Sequence, residues 1–304
     1  MKNTITQLQS TELQIKRLAA QRRIYSRAKT ILAWEIGITV IGVAAWSLIV
    51  LWVPSLKAYA ALWGVVAVLL DFSLFTPLQS SLKLRAAGIQ ELFDCDVLSL
   101  PWQEIKAGSP PDTETVAEWS RLPAATSHET LNVLNWYPAE AGEAPLGVGR
   151  LICQRANCWW DARLRRRYAI WLVAATAATF LFTVVVGLVG HTTLEQFLLA
   201  GVMPFLPVFA IGIRQFTDQR QAAARLDDLK KHSERLWREA IADKIDSDEL
   251  TRRSRTLQDE IFEQRRRNPL IFDWIYRRLR DEQEELMNRC AKDLLEEART
   301  ALGF

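Results

Sequence analysis

Hydrophobic and polar positions fall into long separate blocks along this chain. From Thr30 to Val53 the only charged residue is Glu35, and from Ala58 to Phe75 the only one is Asp71. Tyr168 to Gly190 and Phe197 to Ile213 carry no charge. A helix needs about 20 apolar residues, each rising about 1.5 Å, to cross roughly 30 Å of hydrocarbon. The first and third blocks reach that length outright. The second reaches it by closing at Pro77. The fourth holds Pro204 and Pro207, and reaches it by starting near Leu194 or running on to Phe216. Pro54–Lys57 and His191–Gln196 are short enough to be tight turns. The pattern predicts an all-α integral membrane protein with four transmembrane helices arranged as two hairpins. The first block is too long for the core of a cleaved signal peptide and follows a polar stretch, so it should stay as an anchor.

The polar stretches also read as helix, since no period-two alternation lasts long enough for a strand. This divides the chain into an N-terminal helix (1–29), a first membrane hairpin (30–75), a helical insert (76–167), a second hairpin (168–213) and a helical tail (214–304). In the insert, Ser80–Leu98 continues the second span until Pro101 breaks it. Asp112 caps a short helix running to Leu122, and Ser127–Tyr137 is another, stopped by Pro138. Arg150–Arg167 runs as a helix directly into the third span. In the tail, Ala222, Leu226, Leu229, Ser233, Leu236 and Ala240 form a four-three seam like that of a coiled coil, and Leu250, Ser254, Leu257 and Ile261 repeat it. Asn268-Pro269 breaks the tail again.

Charge sets the orientation. Met1–Lys29 holds seven Lys and Arg against Glu12 alone. The two turns between paired blocks hold only Lys57, whereas Lys83, Arg85, Arg163 and Arg165 to Arg167 flank the insert, and Arg214 and Arg220 follow the last block. Positive residues stay on the cytoplasmic side, which places both termini and the insert inside. From Arg214 onward, twenty basic residues balance twenty acidic ones. That balance fits salt-bridged helices and argues against a nucleic-acid polymer as partner.

Catalytic signatures are missing, and the chain reads as a non-enzyme. Gly147 and Gly149 are not followed by the Lys-Ser/Thr of a phosphate loop, and there is neither a Gly-x-Ser-x-Gly elbow nor a His-Glu-x-x-His helix. Cys95, Cys153, Cys158 and Cys290 do not have zinc spacing and read as free thiols, so no metal is expected. Glu35 and Asp71 are carboxylates within apolar blocks, where charge is costly. Either they line the mouth of a pore or a helix contact, or each reaches the interface and is solvated there. Small residues in the spans suit close packing, within one unit or in a homo-oligomer.

The segment Arg150–Arg167 concentrates basic and aromatic residues on one helix. Positions three and four apart share a face, so Arg155, Trp159 and Arg163 align, with Arg150 and Arg167 beyond them. Arginine with a flat aromatic suits a planar anion such as a nucleotide. The alternatives are that Arg165 and Arg166 anchor lipid phosphates and that Trp159 and Trp160 are packing.

These words carry a resemblance. Glu91-Leu-Phe-Asp-Cys-Asp-Val97 with Leu100-Pro-Trp102, Asn135-Trp-Tyr-Pro138, Cys153-Gln-Arg-Ala-Asn-Cys-Trp-Trp-Asp161, Leu164-Arg-Arg-Arg-Tyr168 and Arg267-Asn-Pro-Leu-Ile-Phe-Asp-Trp-Ile-Tyr276 resemble the SMODS-associated four-transmembrane effector family, over nearly the whole chain. The resemblance implies an effector of cyclic-oligonucleotide-based antiphage defence. Its partner would be a cGAS/DncV-like nucleotidyltransferase, acting through a cyclic di- or oligonucleotide product, and its target the lipid bilayer of the bacterial inner membrane, which it would perforate to arrest or kill the cell. The alternative is a non-pore membrane scaffold that recruits partners through its coiled-coil-like tail.

Overall fold

The computed structural model describes residues 3–120, 134–189, 193, 195, 203–242 and 245–304. Every regular element among them is helical, and no strand occurs in these described residues. Helix α1 spans Ile5–Gln9 and α2 Glu12–Ile36. A π turn over Gly37–Ile41 leads into α3, Gly42–Trp52. A single 3-10 turn, Pro54–Leu56, then separates α3 from α4, Lys57–Leu70, at the place where the sequence predicts a tight turn. A second π turn, Asp71–Phe75, joins α4 to α5, Thr76–Val97. Short helices α6 (Glu104–Ala107) and α7 (Thr113–Trp119) follow. Helix α8 is continuous over Leu146–Val189 and α9 over Met203–Ile241. The tail ends in α10, Ser247–Arg267, and α11, Asp273–Leu302.

Three helical stretches are long and apolar enough to cross a membrane: Glu12–Trp46, Ala58–Val97 and Leu146–Val185. The fourth apolar block is described only from Met203 on, and the expected turn His191–Gln196 lies almost wholly outside the described residues. The helix expected over Ser127–Tyr137 lies outside them as far as residue 133. Its described end departs from expectation: Leu134–Tyr137 is irregular, and Asn135 has a positive φ of 52°.

Local chemistry sets the helix ends. The Asp112 carboxylate accepts from Thr115 N at 2.6 Å and that of Asp246 from Glu249 N at 2.7 Å, capping α7 and α10. Helix α5 stops where Ser99 enters the left-handed region, and Leu100 N returns to Cys95 O at 2.8 Å. Helix α10 stops at Asn268, whose extended backbone (φ −56°, ψ 141°) is what a following proline requires.

The polar segments fold into one layer around a core that joins Ile5, Leu18, Phe93, Tyr137, Leu151, Leu236, Leu257, Ile261 and Leu295. The four-three seam of the tail is used here. Ala222, Leu226, Ser233, Leu236 and Ala240 are buried within the chain, as are Leu250, Ser254, Leu257 and Ile261. Beyond the layer the helices are sheathed in exposed apolar side chains, with Trp52 86 % and Leu188 71 % accessible. They approach closely at small residues: a Cβ added to Gly42 would collide with the Trp63 indole, and one on Gly212 with Thr176.

Candidate functional site

Helix α8 carries the basic-aromatic segment, and the structure shows where each of its side chains goes. Arg150 is buried and caps α5. Its guanidinium donates to Leu98 O (2.8 Å), Ser99 O (3.2 Å) and Thr251 Oγ1 (3.1 Å). Arg155 pairs with Glu234 on α9 at 3.1 Å. Arg163 lies over the Trp159 ring, 5.5 Å from its centroid, and donates to Glu282 at 2.7 Å. Arg167 grips the same carboxylate with two nitrogens, each at 2.7 Å. The alignment of Arg155, Trp159 and Arg163 on one face therefore holds, and their acidic partners come from α9 and α11. The crevice beside Arg155 and Trp159 encloses only about 10 Å³. Arg150 sits elsewhere, between the end of α5 and the start of α10.

One step around the helix the surroundings differ. Trp160, Asp161, Leu164 and Arg165 face a cavity of about 260 Å³. Helix α2 closes it with Gln21, Arg22, Tyr25 and Lys29, and the irregular segment Leu134–Tyr137 with Trp136 and Tyr137. The end of α10 adds Arg265, the linker Asn268–Ile271, and α11 Tyr276 and Arg280. Five basic side chains line it against three carboxylates, Asp161, Asp273 and Glu284. Tyr25, Trp136, Tyr137, Trp160 and Tyr276 supply aromatic walls. The Trp160 and Tyr276 rings stand 6.3 Å apart, and Arg22 lies over Tyr276 at 5.8 Å. Arg165 is buried, bonded to Asp161 (3.0 Å), Gln219 (2.8 Å) and Pro269 O (2.8 Å), so it stabilises the polar layer and is not placed to anchor lipid.

Beside the cavity lies a buried ionic network. Arg265 pairs with Asp94, which also accepts from Tyr137 Oη (2.6 Å) and Gln258 (2.8 Å). Arg255 reaches Glu91 at 2.5 Å and Asp259 at 2.9 Å. Burial opposes the charge on Arg265, but Asp94, Tyr137 and Glu91 together outweigh it and raise its pKa well above the ordinary arginine value. Burial first, then Asp94, pushes the Tyr137 phenol well above its usual range, so it stays a neutral donor. Tyr137 is held in place by Gln9, which donates to its carbonyl (3.2 Å) and accepts from its N–H (2.8 Å).

Two cavity residues keep a buried polar atom without a hydrogen-bond partner: Arg265 Nη2, a donor, and Asn268 Oδ1, an acceptor. Asn268 is only 3 % exposed. Such atoms are rare in native interiors. A net-positive, aromatic-walled cavity with an unfilled donor and acceptor suits an anionic ligand that carries a flat ring. Sequence reasoning placed the ligand on the Trp159 face. The distinctive words Asn135–Pro138, Cys153–Asp161 and Arg267–Tyr276 all contribute to the cavity wall, a signal that the sequence reading uses only for the resemblance.

Glu35 and Asp71 come together around one arginine. Arg214 on α9 lies 3.9 Å from each. Glu35 is 4 % exposed and accepts from Gln79 at 2.6 Å, and Asp71 accepts from Thr76 at 2.9 Å. Each acid adjoins or opens one of the two π turns, an irregularity frequent at functional places in helices.

A family model described as the SMODS-associating 4TM effector domain matches residues 3–294. A protein named as a probable CBASS effector molecule, from Bacillus cereus (strain VD146), is 22 % identical over 288 residues, covering 88 % of this chain and 90 % of that protein. No solved structure matches significantly.

Proposed function

Because the chain belongs to the SMODS-associating 4TM effector family, we propose that it is the membrane effector of a bacterial antiphage system, triggered by a cyclic nucleotide and acting by permeabilising the inner membrane. In this reading a cGAS/DncV-like nucleotidyltransferase makes the messenger, and the effector is not itself an enzyme. Both termini and the insert are cytoplasmic, the four spans form two hairpins, and copies assemble into the lesion. Glu35 and Asp71, with Arg214, then lie at its cytoplasmic mouth.

The observation that supports this reading best is the position of the cavity. Its walls come from α2, α8 and α9, each of which runs on into an apolar stretch. A ligand changes a conformational equilibrium only through different affinities for the two states, and a site partly walled by the span helices changes shape when those helices move. We place the messenger in this cavity, with a base beside Trp160 and Tyr276 and phosphates near Arg22, Arg165 and Arg265. The scaffold reading relied on a seam free to recruit partners, and the seam is buried against the chain itself.

The test is reconstitution of the full chain in phosphatidylethanolamine–phosphatidylglycerol liposomes loaded with a self-quenched dye. A panel of 3′,3′-cyclic dinucleotides and cyclic trinucleotides is then added. One member should release the dye while linear mononucleotides do not. Intact vesicles with every member of the panel would contradict the proposal.

A further inference from the structure

The linker between α10 and α11 makes an unusual set of contacts. The last turn of a helix leaves carbonyls without partners, and Pro269 prevents the helix from continuing. Two of those carbonyls and two of the linker's own find donors elsewhere, and four different helices supply them. Tyr25 of α2 donates to Arg265 O at 3.5 Å, and Lys83 of α5 to Arg267 O at 3.5 Å. Arg165 of α8 donates to Pro269 O at 2.8 Å, and Gln219 of α9 to Leu270 O at 3.0 Å. Arg165 also donates to Gln219 at 2.8 Å, so the two stronger grips are joined. Beyond the linker, Ser26 (2.8 Å) and Lys29 (2.5 Å) of α2 hold Asp273.

These four helices are the polar extensions of the four apolar blocks. Helix α2 leads into the first, α5 follows the second, α8 contains the third, and α9 leaves the fourth. The same short linker also presents Asn268 to the cavity, with its Oδ1 unpartnered. One segment thus touches both the candidate ligand site and a side chain from every span helix.

We propose that the Arg265–Asp273 segment is the transducer of this protein: it is displaced by whatever fills the cavity, and it passes that displacement to the span ends through Tyr25, Lys83, Arg165 and Gln219. This rests on the cavity being the trigger site. Lys83 and Gln219 are positioning residues, since neither lines the cavity. Packed interfaces of this kind respond to small pushes with discrete shifts of helices, about 1–2 Å or more. A brace that merely holds the layer together would keep the resting structure but would not pass on occupancy.

The experiment uses an occupant built into the full chain, so it needs no identified ligand. Ala156 lines the cavity one turn before Trp160, and Ala156→Trp puts an indole where a nucleobase would sit. Nitroxides are attached at Ser81→Cys on α5 and Thr217→Cys on α9, both exposed, in a Cys290→Ser background where the remaining cysteines are buried. Pulsed electron resonance then reads their separation in dye-loaded liposomes. Ala156→Trp should shift the distance by about 2 Å or more. Gln219→Leu should abolish that shift while leaving the resting distance unchanged. If Ala156→Trp gives no shift, or the same shift with and without Gln219→Leu, the segment is not the transducer. A Gln219→Leu chain that fails to fold, judged by helical circular dichroism and elution as a single species, is replaced by Lys83→Met with the same expectation. Dye release is recorded on the same vesicles. A shift without release overturns the permeabilising function but leaves the transducer standing.

Discussion

Helix α8 runs without interruption through two regions built on opposite rules. From Leu151 to Ala169 its side chains are mostly buried, with Leu151, Ile152, Cys153, Cys158 and Ala162 at or near zero accessibility. From Ile170 onward most apolar side chains point outward, Phe180 to Phe182 and Leu188 among them. In water that outer surface would be costly; in hydrocarbon it is not. The threonines of the outer half bond inward, Thr176, Thr179 and Thr183 each donating to the carbonyl four residues back at 2.8–2.9 Å. Such a bond lets a hydroxyl sit in hydrocarbon without water. The polar half instead fixes its neighbours by long-range ionic contacts. The lesson is that the polar layer is held by specific ionic contacts, while the apolar half presents an outer surface matched to hydrocarbon.

The largest expected effect breaks that layer at one of its buried ion pairs. Asp94 is fully buried and Arg265 is its ionic partner. Arg265→Ala leaves Asp94 beside Glu91 without that partner, and removing one member of a buried pair costs about 3–5 kcal/mol. Denaturant unfolding in detergent, followed by tryptophan fluorescence, should show that loss. A fall under about 1 kcal/mol would mean that water reaches the network.

The same truncation made in both regions sharpens the contrast. Leu257→Ala empties a site that is 1 % exposed and should cost about 2–5 kcal/mol. Leu181→Ala, on the outer face of α8, should stay within about 0.5 kcal/mol. Equal losses at the two positions would remove the distinction.

The smallest effect concerns pH. The hydrogen bond from Arg167 first, then, against the cost of burial, the one from Arg163 hold the Glu282 carboxyl below its ordinary value of 4.5. A lowered folded value means that its contribution is complete above the ordinary value and is lost as pH falls through the lowered one. Docking of α11 on α8 should therefore weaken only at acid pH. In Glu282→Gln this acid-side dependence should flatten, as measured by amide exchange along α11.

Much of this architecture was legible in the sequence. The continuity of α8 could be read because nothing interrupts the stretch from Arg150 into the apolar block. The seams Ala222–Ala240 and Leu250–Ile261 could be read because four-three spacing marks one buried face of a helix. Their partner could not, because periodicity names a face and never what covers it. The sequence reading puts the ligand on Trp159, one residue from the Trp160 that lines the larger cavity. Trp159 and Trp160 differ by about 100° around the helix, and which of them faces inward depends on α2 and α11, more than a hundred residues away in either direction. Asn268-Pro269 reads in sequence as a helix break. Its role as the meeting point of four helices exists only once their side chains converge on its carbonyls.

Trp159 and Trp160 offer a cyclic nucleotide two different faces of α8. The direct measurement is the affinity, by titration calorimetry, of whichever cyclic nucleotide releases dye, for Trp160→Ala and Trp159→Ala chains. Stacking on an aromatic side chain is worth about 1–3 kcal/mol per base, roughly 5- to 150-fold in affinity. The cavity placement predicts that loss for Trp160→Ala and a change of less than about threefold for Trp159→Ala. The opposite ranking would contradict it and return the ligand to the face of Arg155, Trp159 and Arg163.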